Sequence, residues 1–430
     1  MATRSSISNR DPLGGKYLVI AASLVIQFCL GALYAWPVYT YELTKSGWLK
    51  FESQTVFAVS LFTFSLFMII SRHLIVPNKI RPLTLTGGVL LGTGYILSGL
   101  SGGTSFWALL LGIGIVAGAG TGIIYMIPMT VAIRTFPERK GLVVGLSIAG
   151  FGFGGMVWIK MGSDWFDLIA HHGLSFTFIL YGILFLLFIS LASFFMSFPE
   201  EALGKSDNSK SVDTNLNTNG LQLLGTPQFY YIFFSLIACS ASGLMFIGLM
   251  FQYPIESLIH NGLEEAEAIR ISGTAIGIFF SIANGLGRIA WGVVSDRIGR
   301  RLSIVLVLIT QGILIMGFTF MAEKSWSLYL GTSLIGFYFG ALFALFPAIT
   351  ADVFGSAHIS EYYPLIFFAY GIGGLVGPIT GGILGDLSQF KLAYSLFGFL
   401  CIISTVFLLL LKPASKPYPV QSQGKMQLQI

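Results

Sequence analysis

The chain contains about twelve apolar stretches that are each long enough to cross a lipid bilayer. An α-helix needs roughly 20 apolar residues to span the hydrocarbon core. Only 10% of the residues are charged and 54% are hydrophobic, whereas a soluble domain carries roughly 25% charged residues. The sequence therefore predicts an all-α membrane protein with twelve transmembrane helices. The predicted spans cover residues 17–40, 53–73, 82–101, 106–133, 141–163, 174–197, 228–252, 270–294, 302–322, 326–350, 360–385 and 392–411.

The distribution of Lys and Arg predicts how these spans are oriented. About 17 of the 24 basic residues fall in the segments that would share a side with both termini. Cytoplasmic loops carry such an excess, so both termini are predicted to lie in the cytoplasm, with the chain in the plasma or inner membrane. The net charge of +5 then indicates topology and contact with anionic lipid, and we infer no binding of nucleic acid from it.

The longest polar stretch, Pro199 to Thr226, divides the spans into two groups of six. Its run of Asn, Thr and charged residues cannot bury itself, which is typical of a flexible cytoplasmic linker. Tyr125 to Phe136 and Phe343 to Phe354 share an aromatic residue, a Pro and a closing Phe at similar spacing. This repeat predicts two pseudo-symmetric halves, residues 17–198 and 227–412, with cytoplasmic tails at 1–16 and 413–430.

Arg288 lies inside the otherwise apolar eighth span. A permanent cation at that depth costs several kcal/mol, so a charged residue in a span predicts a functional site. Asn284 stands one helical turn earlier, where its amide shares a face with the guanidinium. A guanidinium can pair with both oxygens of a carboxylate at once. The pattern predicts an anion site inside the membrane.

The cysteines and the other polar residues of the sequence give little support to an enzymatic function. Cys29, Cys239 and Cys401 lie on three separate apolar spans, which indicates neither a disulfide framework nor a metal site. The sequence shows no Ser-His-Asp pattern, no zinc-ligand spacing and no phosphate-binding loop. We predict no cofactor and no metal, and gradient-driven transport remains as the function class.

The run Gly287 to Arg301 resembles the signature between helices 8 and 9 of the major facilitator superfamily. The chain is also similar to that superfamily's oxalate:formate antiporter family and to its monocarboxylate transporter relatives. The further matching segments are Gly118–Tyr125, Phe136–Gly145, Gly225–Phe229, Ala344–Pro347 and Asp352–Gly355. The resemblance implies a twelve-helix fold that transports by alternating access, with a substrate site between the halves.

The resemblance also implies roles for individual residues. Arg288 matches the family Arg that binds the substrate carboxylate, and Asp296, Arg297 and Arg300 match a charge latch at the inner gate. An alternative is that Arg288 belongs only to that latch. The aromatic positions that cage the substrate in the family correspond here to Tyr34, Trp36, Tyr125, Phe339 and Phe343, and Tyr338 is a neighbouring hydroxyl.

Two departures from the family pattern bear on the substrate. Oxalate-specific members carry a Lys on helix 11 where this chain has Tyr370. A site with one cation would leave the second charge of a dianion unpaired. Proton-coupled monocarboxylate relatives have an Asp before the helix 8 Arg and a Lys on helix 1, whereas this chain has Asn284 and no such Lys. In the loop after the second span, Val76 replaces the expected Asp, so we expect the two halves to latch the gate unequally.

These features together predict a monomeric secondary transporter that exchanges small carboxylate anions, with lactate, pyruvate or formate favoured. An oxalate/formate-type antiporter and a proton-driven efflux carrier of other organic compounds remain alternatives, and protons are a candidate co-substrate. A non-transporting sensor or an anion channel on the same scaffold is the alternative from another class. A sensor would usually append a soluble domain, and the tails are short.

Overall fold

The computed structural model describes residues 12–136, 140–197, 223–355 and 359–411, and these residues form helices and turns without any strand. Eleven helices in this part of the chain are long and apolar enough to cross a membrane. The 24-residue helix Lys140–Ser163 joins them in the fifth position. The predicted all-α, twelve-helix fold is confirmed. Most of the predicted linker at 199–226 and of both tails lies outside the described residues.

Six helices form the first half of the bundle. They are α1 (Lys16–Lys45, whose first turn begins at Pro12), α2 (Lys50–Leu74), α3 (Pro77–Leu100), α4 (Phe106–Thr135), α5 (Lys140–Ser163) and α6 (Leu168–Ser193). In α1 a tight 3₁₀ turn at Gly31–Ala35 interrupts the α-helix and is followed by Pro37. Pro37 has no N–H to donate back to Leu33, so the regular hydrogen-bond ladder stops there. This turn carries Tyr34.

Six further helices form the second half. They are α7 (Pro227–Leu249), α8 (Glu265–Ile298), α9 (Arg300–Met321), α10 (Ser325–Phe354), α11 (Ile359–Asp386) and α12 (Phe390–Leu410), and a short helix, Gln252–His260, follows α7. Gly299 separates α8 from α9 at a φ of 90°, a conformation that other residues rarely adopt. Gly299 belongs to the signature-like run Gly287 to Arg301, and it permits the sharp change of chain direction between α8 and α9.

The helices α4 and α8, which carry Tyr125 and Arg288, each contain a wider π-helical segment. In α4 it covers Leu110–Ala117, and in α8 it covers Ala275–Phe280. A π-helical turn holds one more residue than an α-helical turn, and such turns are frequent at functional sites. Tyr125 and Arg288 both follow these segments within about two turns.

The two halves meet along an antiparallel seam between α5 and α8. Ile289 lies beside Gly145 at one end, and the Lys160 side chain lies against Gly277 towards the other. Between them, a methyl group placed on Gly152 would come within 2.9 Å of the Gly285 backbone nitrogen. Small residues let transmembrane helices approach closely where lipid provides no hydrophobic drive. Gly152 and Gly285 thus permit the close approach of α5 and α8.

A second seam joins α2 to α11 in the same way. A methyl group on Gly374 would lie 2.7 Å from the Leu61 side chain, and one on Gly382 would lie 2.8 Å from the Phe51 backbone. The Asp386 carboxylate accepts hydrogen bonds from the backbone N–H groups of Lys50 at 2.7 Å and Phe51 at 3.0 Å. This carboxylate therefore caps α2 from the opposite half, at the end of the bundle away from the termini.

The seam between α5 and α8 makes a stability prediction. We expect Gly152→Ala to lower the thermal unfolding midpoint, because the added methyl group would collide with backbone that cannot rotate away. Overpacking of this kind typically costs about 1–3 kcal/mol. Gly317→Ala on α9 is the matched control, since its methyl group would meet nothing within 4 Å. The control should equal or exceed the wild type, because Ala favours helix over Gly by about 1 kcal/mol. A Gly152→Ala protein as stable as the control would contradict close packing at this seam.

Candidate substrate site

Arg288 lies at the middle of the α5–α8 seam and is buried, with 1% of its surface exposed. Its two terminal nitrogens both reach into the first half. Nη1 donates to the Ile148 carbonyl on α5 at 3.0 Å, and Nη2 donates to the Tyr34 hydroxyl on α1 at 3.3 Å. The forked edge of the guanidinium, the edge that could pair with a carboxylate, therefore faces the opposite half.

Asn284 fixes the orientation of this guanidinium. Its Oδ1 accepts a hydrogen bond from Arg288 Nε at 3.2 Å, and its own Nδ2 donates to the Gly336 carbonyl on α10 at 3.3 Å. Both ends of the amide are thus engaged, so the side chain acts as a spacer between α10 and the cation. An amide oxygen is neutral, and it therefore positions the guanidinium without cancelling its charge.

Two aromatic rings also lie close to the cation. The Arg288 Cζ lies 4.2 Å from the centroid of Phe343 and 5.2 Å from that of Phe151. A cation over the face of an aromatic ring is stabilised by the ring quadrupole, by about 2 kcal/mol when the pair is desolvated. These contacts, a carbonyl and two neutral side-chain oxygens offset part of the cost of burying the charge.

Charged side chains are scarce in the interior. Within the described residues, those that are buried are Arg288 and Lys160. Lys160 forms an ion pair with Asp164 and donates to the Thr274 hydroxyl at 3.1 Å. No Asp or Glu of the described chain forms an ion pair with Arg288. The charge of Arg288 is therefore not neutralised by any carboxylate of the described residues.

Five rings and the guanidinium form a closed circuit, which we call the aromatic cage. From Phe151 the circuit runs to Tyr125 at 6.2 Å, to Phe367 at 5.7 Å, to Tyr370 at 4.8 Å and to Phe343 at 5.5 Å. Phe343 then returns to Arg288. All five rings are buried. They come from α4, α5, α10 and α11, so both halves contribute walls.

Pro128 and Gln27 explain how the chain presents Tyr125 to the cage. Pro128 has no N–H to donate to the Ile124 carbonyl, and α4 is interrupted at Tyr125. The Gln27 side chain on α1 donates to the Tyr125 carbonyl at 3.0 Å. This hydrogen bond from α1 to the Tyr125 carbonyl holds the interrupted turn of α4 in place. The aromatic residue and the Pro of the predicted repeat are thus parts of one local structure.

The structure brings together most of the residues that the sequence singled out. Asn284, Tyr34, Tyr125, Phe343 and Tyr370 lie around Arg288 or in the cage, and Phe339 contacts both Tyr34 at 6.5 Å and Phe343 at 5.7 Å. Their substrate roles stay predictions.

Trp36 and Tyr338 lie elsewhere. Trp36 stacks on Phe57 and donates to the Ser53 carbonyl at 3.1 Å, within the first half. Tyr338 packs on Trp291 at 5.7 Å, away from the cage. A role for either in binding stays a prediction that these contacts do not support.

Sequence reasoning missed Phe151 and Phe367. Phe367 precedes Tyr370 by three residues, which places both on one face of α11, so its position could have been inferred once Tyr370 was chosen. Phe151 lies in a run of glycines, and nothing in that local pattern marks its ring as part of a site. Only the crossing of α5 over α8 places its ring beside the cation.

The predicted gating residues lie at the end of the bundle near the termini. Arg300 forms ion pairs with Asp296 and, at 3.8 Å, with Asp352. These contacts connect α8, α9 and α10, all within the second half, and Arg297 is exposed beside them. The described contacts of Arg288 involve none of these residues, so the alternative that Arg288 belongs only to the latch has no support in the geometry.

Comparison with known proteins places this architecture in a family. The model of the Major Facilitator Superfamily matches residues 17–279 and 262–428. The chain is 26% identical to the uncharacterized MFS-type transporter YhjX of Escherichia coli (strain K12) over 372 residues, covering 84% of this chain and 86% of that protein. It is 26% identical to the oxalate:formate antiporter of Oxalobacter formigenes over 375 residues, covering 86% and 83%.

More distant relatives agree on the fold. Monocarboxylate transporter 12 of Xenopus laevis is 24% identical over 341 residues, covering 76% of this chain and 73% of that protein. Among solved structures, a mutant of the nucleoside transporter NupG superposes with a TM-score of 0.69 at 13% identity, covering 92% of this chain and 99% of that chain. The resemblance seen in the sequence is confirmed: the chain belongs to the Major Facilitator Superfamily and is a multi-pass membrane transporter, not an enzyme.

Proposed function

We propose that the protein carries small monocarboxylate anions across the membrane by alternating access. The observation that carries this proposal is the buried Arg288, which has no carboxylate partner in the described chain and forms part of the aromatic cage. A carboxylate on its forked edge would make two charge-assisted hydrogen bonds, which are roughly twice as strong as bonds to neutral acceptors. The neutral Ile148 carbonyl and Tyr34 hydroxyl accept hydrogen bonds from that edge in this structure.

A monocarboxylate fits the charge of the site better than a dianion does. The cage supplies one guanidinium, and the position that carries a cation in oxalate-specific relatives is the Tyr370 ring. A second carboxylate would be buried among Phe367, Phe343 and Tyr370 without a partner, which costs several kcal/mol. Lactate, pyruvate or formate are therefore favoured over oxalate.

The names of two relatives support a carboxylate substrate. One is an oxalate:formate antiporter and another is a monocarboxylate transporter. Oxalate is the second candidate substrate because the antiporter aligns over most of the chain. Small organic anions are the substrate class common to both. Counterflow uptake of labelled lactate, formate and oxalate into liposomes that contain the purified protein would distinguish the candidates.

We further propose that the carrier works by exchange. In this structure Arg288 joins the two halves through Ile148 and Tyr34, and both bonds must break before the seam can open. A substrate carboxylate takes over the same two nitrogens and neutralises the charge. The loaded carrier can then change conformation without exposing a bare cation to an apolar environment.

The proposed orientation places both termini in the cytoplasm of a plasma or inner membrane. The even number of spans returns the chain to the side on which it starts, and α1 and α12 have their outer ends at that side. The excess of Lys and Arg on this side supports the assignment.

The first substrate prediction concerns Arg288→Lys. We expect binding to weaken about tenfold to a hundredfold although the charge is kept, since an ammonium lacks the fork and one charged hydrogen bond is worth about 1.5–3 kcal/mol. The measurement is the substrate-induced rise in unfolding temperature at increasing lactate or formate concentration. Asn284→Ala should weaken binding less, because it loosens the guanidinium without removing it. Unchanged affinity in a folded Arg288→Lys protein would assign Arg288 a structural role.

A second prediction concerns Tyr370→Lys. A second cation would give a dianion a partner and leave one charge unpaired beside a monoanion, so the ratio of oxalate to lactate affinity should rise about tenfold, or by about 1.4 kcal/mol. Competition against labelled formate in counterflow measures this ratio. Tyr370→Phe is the control, since it keeps the ring without adding charge. Equal weakening of both substrates would show that Tyr370 serves packing alone.

A third prediction concerns exchange. Net uptake into liposomes without internal anion should be at least about tenfold slower than uptake into liposomes loaded with unlabelled substrate, because the empty carrier keeps its cross-half bonds. Tyr34→Phe removes one of those bonds and should bring the two rates closer together. Net uptake as fast as exchange in the wild type, without a pH gradient, would refute the exchange mechanism.

A further inference from the structure

A cavity of about 550 Å³ lies between α8, α9, α10 and α12, at the end of the bundle near the termini. Its volume falls in the range of about 300–1,000 Å³ that small-molecule sites occupy. The walls are mostly aliphatic side chains, and two guanidiniums and one carboxylate lie among them. The lining includes Leu302, Val305, Ile349, Val353 and Leu409, together with Arg300, Arg301 and Asp352. It is remote from the aromatic cage.

The side chains at one edge of this cavity face outwards from the bundle. Leu302 is 51% exposed and Leu409 is 58% exposed, and Ile298 beside them is exposed as well. In a membrane protein, apolar residues on the outer surface of the helices contact lipid. The cavity therefore opens sideways towards the bilayer, at the level where α9 begins and α12 ends.

The two guanidiniums of this cavity differ in their partners. Arg300 forms ion pairs with both Asp296 and Asp352, so its charge is satisfied within the protein. Arg301 donates to the Leu409 carbonyl, and the described residues give it no ion pair. Arg301 therefore lies beside an apolar cavity with no carboxylate partner among the described residues, and an external anion could neutralise its charge.

The sequence that follows Leu411 contains no acidic side chain that could pair with Arg301. The nineteen residues after Leu411 contain Lys412, Lys416 and Lys425 and no Asp or Glu. Basic residues next to a transmembrane helix are attracted to anionic lipid by about 1 kcal/mol each. These residues carry three Lys and no acidic side chain, so no Asp or Glu among them can pair with Arg301.

We propose that this cavity binds one anionic glycerophospholipid, with its phosphate on Arg301 and part of an acyl chain between Val305, Ile349 and Val353. Lipid accounts for both properties of the site, since a phosphate matches the unpaired guanidinium and a hydrocarbon chain matches the aliphatic walls. A soluble phosphate would leave those walls in contact with water. The bound lipid bridges the start of α9, the end of α10 and the end of α12.

The test uses the full-length protein in a neutral detergent, with phosphatidylglycerol or phosphatidylcholine of identical acyl chains added. Native mass spectrometry counts the lipids retained, and the thermal unfolding midpoint reports binding independently. We expect phosphatidylglycerol to be retained in preference to phosphatidylcholine and to raise the midpoint. Arg301→Gln should weaken phosphatidylglycerol binding about fivefold, as expected for one basic residue near an anionic bilayer.

Two further variants separate the cavity from general surface charge. Arg297→Gln removes an exposed cation near the end of α8 that does not line the cavity. The variant should retain the lipid as the wild type does. Val305→Phe keeps every charge and fills the cavity, and it should lower retention of both lipids. Gel filtration and circular dichroism identify any variant that fails to fold.

Three results would overturn the proposal. The first is equal retention of the two lipids by the wild type. The second is an equal loss in Arg297→Gln and Arg301→Gln, which would indicate diffuse surface charge. The third is a rise in midpoint with inorganic phosphate alone that matches the effect of phosphatidylglycerol, which would indicate a site for a free anion.

Discussion

The burial of one guanidinium at the boundary between the two halves is the constraint on which the rest of the site depends. An uncompensated charge inside a membrane protein is expensive, and the structure offsets it with several weak interactions in place of one carboxylate. Asn284 holds Nε, a carbonyl and a hydroxyl hold the forked edge, and two rings face the cation. Each of these can be given up at modest cost. A buried carboxylate partner would instead compete directly with the substrate for the same charge.

Close packing of the seams is what allows Arg288 to reach across to the opposite half. The guanidinium contacts the Ile148 backbone because Gly152 and Gly285 let α5 and α8 approach each other. The α2–α11 seam brings Tyr370 and Phe367 to Tyr125 and Phe64 in the same way. The cage is therefore a product of the relation between the halves, and any motion that separates them also takes it apart. Under the proposed mechanism, binding and conformational change are coupled because the same contacts serve both.

Sequence reasoning was most successful where a local pattern determines the structure. Apolar length predicted all twelve spans, with ends that differ from the observed helices by at most six residues, and Gly299 and Pro128 act on the backbone next to them. Arg288 and Asn284 could be chosen from sequence because a charge and an amide one turn apart in an apolar helix are rare. Aromatic residues carry no such signal, since the chain contains 38 Phe and 17 Tyr residues and an aromatic residue in an apolar span is more often a packing residue than part of a site. Whether Trp36 or Phe151 faces the cation depends on helix rotation and crossing, which are set by contacts far apart in sequence.

The π-helical segment of α8 has a geometric consequence for everything that follows it. One residue corresponds to about 100° of rotation in an α-helix, so the additional residue at Ala275–Phe280 sets the azimuth of the later turns relative to the earlier ones. Two positions of α8 contact α5. Gly277 faces Lys160, and Arg288 faces Ile148. If this segment tightened into regular α-helix, the part of α8 that follows it would rotate about the helix axis relative to the part that precedes it. The guanidinium would then leave the seam without any change in the axis of the helix.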